Sequence, residues 1–422
     1  MDNKKNETVT NEDLRAAFTG TPESDERRER SPMSIKPSKK KKWIIINSIG
    51  GVCFAAGLIC LLVAFLGFNS EQVKLDFPTI PSKNDTDKDY SKLTGEPLAN
   101  AELLNAPAYC VQTPNGTDGA RPQSGLNEAG VVFEAIAESG ITRFAAIYQN
   151  PTTAIIGPVR SLRIYYLEWD TPFDCTIVHA GGSGDALAAV SNGYKDLSED
   201  YAYMYRGTYG GRLWNNLFTT SAYLKKFSTD HGYDTSDIKG FARLTPAESE
   251  QQRADESVSE KLDITKATSE DTSTVAVPVP SIAMNLGGWA DFNVNYSYDA
   301  ESNTYLRSYG SGDPHLIYAC AKEDLGERNP EDVCELTQMA PSVVVAMMVQ
   351  ESRASDNYHE DITAIGSGDA YVFQNGTVIP GKWNKPSKED QIKFTDEKGN
   401  EIKLAPGQTF VTAVPNYGSV TY

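Results

Sequence analysis

The side chains best suited to binding chemistry in this sequence are arginines in an otherwise acidic part of the chain. Six of them fall between residues 121 and 212, namely Arg121, Arg143, Arg160, Arg163, Arg206 and Arg212. A guanidinium fork can bind a carboxylate or a phosphate through two parallel hydrogen bonds. We therefore predict an anion-binding site built from Arg121, Arg160, Ser161, Arg163, His179, Gly181, Gly182, Ser183, Arg212 and Asn216.

Arg143 has a structural alternative. Two runs of β-forming residues, 131–138 and 141–148, are separated by Ser139-Gly140, which predicts a hairpin. With a two-residue loop, Arg143 lies opposite Ile136, and both Glu134 and Glu138 are within reach on the same face. We expect Arg143 to form a structural ion pair, whereas Arg160 and Arg163 are expected to contact a ligand.

The possible catalytic groups are weaker. Ser183 follows a strand and precedes a helix, but the segment 181–185 lacks the second glycine of a nucleophile elbow, so a helix cap is expected. His179 could act as an acid or a base, with Glu134 as a second weak candidate. A hydrogen-bonded structural histidine is the alternative. Whether the chain is an enzyme stays open, with a non-enzymatic function favoured.

Aromatic residues crowd one glycine-rich segment, where they are Tyr201, Tyr203, Tyr205, Tyr209 and Trp214. Such rings could stack on the faces of sugars. Packing in the core or between domains is the alternative use of the same residues.

Metal and cofactor chemistry have little support. The four histidines are scattered, and no pair of cysteines has the spacing of a metal site. We expect no metal site and no cofactor. Beyond residue 68 there are four cysteines, which permit three pairings. We expect a bridge between Cys320 and Cys334, while Cys175 is interpreted as a buried small residue in an apolar strand.

Charge excludes one class of partner. After residue 42 the chain has 28 basic and 49 acidic side chains, a net charge near −21. Affinity for nucleic acid generally comes from a basic surface, so nucleic acid is not an expected partner.

A segment without charged residues runs from Trp43 to Phe68. As a helix it would extend roughly 39 Å, which is enough to cross a hydrocarbon core of about 30 Å. The lysines at 39–42 should stay in the cytoplasm. The sequence thus predicts a single-pass protein of the cell membrane, with a cytoplasmic N-terminus and an extracellular body.

Composition divides the chain into six regions. The prediction is a disordered tail (1–42), a transmembrane helix (43–68), a stalk (69–95), an N-terminal domain (96–245), a polar linker (246–277) and a C-terminal domain (278–422).

The predicted fold class is α+β, with a transmembrane helix, an α/β N-terminal domain with a mixed sheet, and a mostly β C-terminal domain. In the N-terminal domain a strand twice leads through glycine into a capped helix, first after Ser161 and again after Ser183. In the C-terminal domain we expect strands at 343–349 and 409–414, and a hairpin around Asn375-Gly376.

Ordered motifs show a resemblance to a known family. In the N-terminal half they are 120–126, 140–144, 156–161 and 179–183, and in the C-terminal half they are 368–373, Gly376, 381–383 and 406–409. With these motifs the chain resembles the bacterial YerB-like (DUF3048) family over residues 96–422, without the linker. The resemblance implies a two-domain envelope protein of an uncharacterised family. Typical members are lipoproteins, from which a helical anchor would be a departure.

A second departure affects the site. Where the family tends to have Pro-His-Asn after an arginine, this chain has Asn215 in place of the histidine. A mechanism that needs that imidazole is therefore doubtful here.

Location and charge lead to three functional hypotheses. The first is a non-enzymatic protein that binds a cell-envelope glycan, another anionic ligand or a wall-synthesis partner through its arginine-rich face. The second is an enzyme that acts on phosphorylated glycan or lipid-linked wall substrates. The third is an acidic interaction scaffold without a small ligand.

Overall fold

The structure is a computed structural model that describes residues 89–208, 213–254, 277–322 and 325–422. The described residues belong to one compact unit, which spans residues 81–422. Several predictions lie outside the described residues: the tail, the transmembrane span, most of the stalk, most of the linker, and the site residue Arg212.

Strands form most of the regular structure. They are β1 (Ala108–Pro114), β2 (Gln123–Ser124), β3 (Val131–Glu138), β4 (Ile141–Gln149), β5 (Thr176–Val178), β6 (Asp196–Leu197), β7 (Tyr205–Arg206), β8 (Leu217–Phe218), β9 (Val277–Pro278), β10 (Ser281–Asn285), β11 (Val294–Asp299), β12 (Thr304–Tyr309), β13 (Leu316–Ala319), β14 (Glu335–Gln338), β15 (Val343–Val349), β16 (Glu351–Arg353), β17 (Glu360–Ile362), β18 (Gly366–Gln374), β19 (Thr377–Lys385), β20 (Lys393–Asp396), β21 (Thr409–Pro415) and β22 (Ser419–Thr421).

The described α-helices are short. They are α1 (Ile164–Asp170), α2 (Gly184–Val190), α3 (Ser221–His231), α4 (Pro246–Ala254) and α5 (Pro330–Val333). Helix α4 occupies the first residues of the predicted linker. Short 3₁₀ helices include Leu213–Asn215 and Ala290–Phe292.

One sheet of eleven strands runs through both halves of the chain. Its order is β20-β19-β18-β15-β21-β3-β4-β1-β5-β6, with β9 pairing beside β19. The junction is the parallel pair β21–β3, in which Phe410 lies opposite Val132. A smaller sheet has the order β12-β11-β10-β22.

The predicted α+β class, with an α/β N-terminal domain, is wrong, because the described chain is mostly β. The glycine-to-helix transitions exist, but α1 and α2 have only seven residues each. The two long apolar runs before α1 pair with one another as β3 and β4, and β3 also pairs with β21 of the C-terminal half.

The predicted transmembrane helix also needs correction. Within the described residues no helix is both long and apolar enough to cross a membrane, and the predicted span lies outside those residues. The structure therefore does not support the predicted helical anchor.

Both faces of the large sheet are buried. Phe133 and Trp383 belong to a cluster on one face, which α1 covers through Tyr165 and Trp169. Alternate residues of the same strands belong to clusters on the other face, and Phe144 is one of these. This burial explains why β3 reads as a nearly continuous apolar run.

The predicted hairpins are confirmed at both turns. Ser139 and Gly140 have positive φ angles of 50° and 79°, and Asn375 and Gly376 have 52° and 74°. Two consecutive residues with positive φ form the turn whose twist matches the paired strands. The predicted strand at 343–349 is confirmed, and that at 409–414 is confirmed as β21.

The register of the β3–β4 hairpin differs from the prediction. Arg143 pairs with Ala135 and Ile136 with Thr142, because a bulge shifts the register between Ile136 and Glu138. One extra residue in a strand moves the later side chains to the opposite face. Glu138 therefore shares a face with Arg143, whereas Glu134 points to the other face.

Two disulfides connect the chain. Cys320 and Cys334 are bonded, which confirms the expected bridge. Cys110 is bonded to Cys175, so the interpretation of Cys175 as a simple buried residue is wrong. This second bridge joins strand β1 to the residue just before its parallel neighbour β5.

Candidate functional site

An open cleft of about 660 Å³ lies at the turn of the β3–β4 hairpin. The loop after β1, the segment before α1, the 3₁₀ helices Leu213–Asn215 and Ala290–Phe292, and the loop before β17 complete its walls. Its charged lining residues are Asp118, Glu138, Arg143, Arg160 and Asp291, and its aromatic ones are Trp214, Trp289, Phe292 and Tyr358.

Glu138 is a buried carboxylate between two arginines. Its Oε2 accepts a hydrogen bond of 2.6 Å from Nη2 of Arg163, and its Oε1 accepts one from Arg143. Burial alone would raise the pKa of Glu138, but the two guanidinium groups hold it below its usual value. The structural ion pair expected for Arg143 is confirmed, and Arg163 proves to be engaged in the same way.

Arg160 is different. No hydrogen bond or ion pair joins its guanidinium to any of the described residues, although it is half-buried at the cleft wall. Burial lowers the pKa of Arg160, and the nearby positive charge of Arg143 lowers it further. A partly desolvated cation without a partner is able to bind an anion.

Arg121 is not part of the cleft lining but contacts residues that are. Its Nε donates to Oδ1 of Asn115 at 2.9 Å, and its guanidinium stacks 3.7 Å from the ring centroid of Tyr309. Nη2 donates to the backbone oxygen of Asp291. These contacts tie together two segments that form cleft walls.

Glu134 is fully buried on the opposite face of the sheet. Both of its carboxylate oxygens accept hydrogen bonds from Nη2 of Arg307, at 2.9 and 2.7 Å. Thr142 and Asn115 donate to Oε1 as well. A carboxylate with this many partners holds the core together and is poorly placed to move protons.

The loop after β5 lies beside the wall that holds Arg160. The backbone N–H of Ala180 donates to the carbonyl of Arg160, and that of Leu162 donates to Gly181. His179 is buried, with one ring nitrogen 2.8 Å from the carbonyl oxygen of Gly181 and the other 2.9 Å from Oδ1 of Asp196. The ring has the bonds of a structural histidine.

The hydrogen-bonded segments around residues 160–162 and 180–183 also contain Ser161, Gly182 and Ser183. None of these three residues lines the cleft. The carbonyl of Ser161 accepts a hydrogen bond from Arg143. Ser183 occupies the expected N-cap position of α2, but its side chain makes no capping hydrogen bond. Helix α1 begins at Ile164, so Arg163, and not Ser161, takes its N-cap position.

Arg206 and Asn216 form a separate pair. Arg206 Nη1 donates to Oδ1 of Asn216 at 3.0 Å, and its Nη2 is 2.5 Å from Oε1 of Glu199. The amide of Asn216 donates to the carbonyl of Gly207. Neither residue lines the cleft, so the structure brings only part of the predicted site together.

The tyrosine-rich segment is divided between core and surface. Tyr203 and Tyr205 are buried, and Tyr203 packs edge-on against Phe227. Tyr201 is exposed and donates to Glu199. Tyr209 lies outside the described residues, and among the aromatic residues of this segment that the structure describes, Trp214 alone lines the cleft.

Several lining residues escaped the sequence reasoning. Asp118 accepts hydrogen bonds from Nε1 of Trp214 at 2.9 Å and from Nδ2 of Asn215 at 3.1 Å. Asn215 thus holds a cleft carboxylate at the position where the family tends to have histidine. Trp289 follows Gly287-Gly288, which is the one local signal of an exposed aromatic side chain at a turn.

Comparison with known proteins identifies the chain. Residues 93–234 match the N-terminal domain, and residues 284–411 the C-terminal domain, of a family described as proteins of unknown function (DUF3048). The chain belongs to the DUF3048 family. The cleft takes residues from both matched regions of this DUF3048 chain, among them Arg160 from the first and Trp289 from the second.

A relative supports the assignment, and a solved structure has a similar fold. The chain is 28% identical over 308 residues to "Putative lipoprotein YerB" of Bacillus subtilis (strain 168), which covers 70% of this chain and 78% of the relative. The crystal structure of the YerB protein from Bacillus subtilis matches the fold with a TM-score of 0.60 at 22% identity, covering 79% of this chain and 100% of that one.

The predicted localisation is corrected by the same comparison. The relative is named as a lipoprotein, and no described helix could cross a membrane. The comparisons therefore do not support a single-pass membrane protein with an extracellular body.

Proposed function

We propose that this chain binds an anionic cell-envelope ligand through Arg160. The single observation that carries the proposal is the half-buried guanidinium at the cleft wall, which has no hydrogen bond or ion pair with any described residue. Arg143 and Arg163 share Glu138 and are therefore already compensated.

Two further observations support an envelope ligand. Two disulfides are typical of proteins that fold outside the reducing cytosol. The relative from Bacillus subtilis is named as a lipoprotein, and lipoproteins are held at a membrane surface. Binding is favoured over catalysis because the acid–base candidates, His179 and Glu134, are both held by structural hydrogen bonds.

The test is equilibrium binding by the full chain to two acidic envelope polymers. One is peptidoglycan glycan strands freed of stem peptides, and the other is poly(glycerol phosphate). Each is compared with a neutral counterpart, amidated strands or polyglycerol. We expect an acidic polymer to bind better than its counterpart.

Replacing Arg160 by Ala should remove this preference and weaken binding about tenfold or more, since a hydrogen bond to a charged group contributes roughly 1.5–3 kcal/mol. Arg328, which is exposed and does not line the cleft, provides the matched control R328A. Equal affinity of wild type and R160A for both acidic polymers would contradict the proposal.

A further inference from the structure

Three large exposed aromatic residues converge on the cleft. Trp214, Trp289 and Tyr358 are 49%, 68% and 56% exposed. All three line the same opening although they come from separate segments of the chain. Exposed rings on a soluble surface are normal singly, but a cluster around one opening indicates a binding site.

Hydrogen bonds hold the two indole rings in place. Nε1 of Trp214 donates to Asp118, and Nε1 of Trp289 donates to the carbonyl of Ser139 at 3.1 Å. Trp289 also packs against Gly140, where an added Cβ would come within 3.2 Å of its ring. The indole N–H groups of both tryptophans are hydrogen-bonded, whereas large parts of both residues stay exposed. The rings are therefore held in position before a ligand binds.

The charges of the lining restrict the ligand further. Asp118, Glu138 and Asp291 supply three carboxylates, against two arginines, Arg143 and Arg160. The carboxylate of Asp291 has no hydrogen bond to a described residue, and each oxygen of Asp118 can accept more than the bond it has. Because Arg143 and Arg163 compensate Glu138, the carboxylates left to accept hydrogen bonds from the hydroxyl groups of a ligand are those of Asp118 and Asp291.

We infer that the ligand is an oligosaccharide whose recognised sugar carries one acidic group among several hydroxyls. The C–H groups of a pyranose face pack on the electron-rich faces of the aromatic rings. Hydroxyls donate to Asp118 and Asp291, and the acidic group pairs with Arg160. The acidic part of this assignment rests on the proposed function, whereas the sugar part rests on the rings and carboxylates.

The test uses the full chain and the same peptide-free strands, with their carboxylates free or amidated. W289A should lower the affinity for both forms about fivefold to tenfold, because a stacking surface is lost. R160A should lower the affinity for the acidic form alone. W289F should retain most of the binding, and this conservative variant separates loss of the ring face from loss of folding.

Y422A is the matched control, since Tyr422 is 50% exposed but does not line the cleft. Its affinities should equal those of the wild type. Failure of both strand forms to bind, or an equal loss in Y422A and W289A, overturns the inference.

The two proposals fail in different ways. Tight binding of poly(glycerol phosphate) that W289A leaves unchanged sinks the oligosaccharide inference and leaves the anion site. Equal binding of free and amidated strands, with a loss in W289A, supports the oligosaccharide inference and sinks the role of Arg160.

Discussion

Glu138 accepts hydrogen bonds from two guanidinium groups, and this separates the nearby arginines into two kinds. Arg143 and Arg163 compensate a carboxylate that would otherwise be costly to bury. Arg160 is close enough to interact electrostatically with Arg143 and Glu138, but it has no hydrogen-bonded partner among the described residues. Arg160 and Arg163 are close in the sequence, but only Arg163 is hydrogen-bonded to a carboxylate, which is why we propose a ligand contact for Arg160.

Glu351 is another buried carboxylate, but without a cation bonded to it in the described structure. Oε1 accepts a hydrogen bond of 2.7 Å from the hydroxyl of Tyr417, while Oε2 has no partner. Burial raises the pKa of Glu351 to about 7, against an opposing effect of the Tyr417 hydrogen bond, and Glu360 raises it further. Glu351 is therefore largely protonated in the folded chain below neutral pH.

This protonation predicts a dependence of stability on pH. The folded carboxyl keeps its proton up to about pH 7, whereas the unfolded one loses it near pH 4.5, so the free energy of unfolding falls as the pH rises between these values. The fall is on the order of 3 kcal/mol. E351Q should match the wild type near pH 4.5 and exceed it at pH 8 in urea denaturation. Parallel pH curves for the two proteins would refute the assignment.

At the scale of elements, the bulge in the β3–β4 hairpin decides where its charges go. Without it, Glu134 and Glu138 would lie on the face of Arg143. The one-residue shift leaves Glu138 with Arg143 and turns Glu134 towards Arg307. One hairpin therefore supplies both the charged cleft wall and a buried ion pair.

Two disulfides link separate elements of the described structure covalently. The bridge between Cys110 and Cys175 closes 65 residues, and that between Cys320 and Cys334 closes 14. A longer loop loses more unfolded-state entropy when it is closed.

Replacing both cysteines of a bridge by alanine should therefore cost about 4 kcal/mol for the first bridge and about 3 kcal/mol for the second. Urea denaturation of the two double variants measures the difference. An equal or larger loss in the 320–334 variant would show that loop closure is not the controlling effect.

At the scale of the whole molecule, the two matched regions share one sheet. Strand β21 pairs with β3 through four residue pairs, and Arg307 reaches across to Glu134. Both side chains of this ion pair are fully buried. If the halves were separated, each would keep a charged group without its partner, which is costly to bury. We expect the halves to depend on each other for folding.

The predicted domains provide the test. Residues 96–245, produced alone, should lack a stable fold, because β3 becomes an open apolar edge and Glu134 is left buried without its partner. Two-dimensional amide NMR should show poor dispersion for 96–245 and for 278–422 separately, and recovered dispersion after mixing. A well-dispersed spectrum of either fragment alone would contradict the dependence.

Local features of this fold could be predicted because their causes are local. Ser139-Gly140 and Asn375-Gly376 adopt positive φ at hairpin turns, and the apolar run 343–349 has the length of a buried strand. The α/β prediction failed because a strand followed by glycine and a short helix occurs equally in a mostly β chain. A local sequence pattern does not indicate which strands will pair with each other in the sheet.

The sequence by itself determined the turns, the main strands, the excess of acidic residues and the family motifs. Tertiary structure alone decided that Arg160 has no hydrogen-bonded partner among the described residues, that Cys110 meets Cys175, and that Trp214, Trp289 and Tyr358 share one opening. These outcomes depend on contacts between distant residues and on a single bulge. Such contacts are set by the packing of the whole sheet, and no local spacing encodes them.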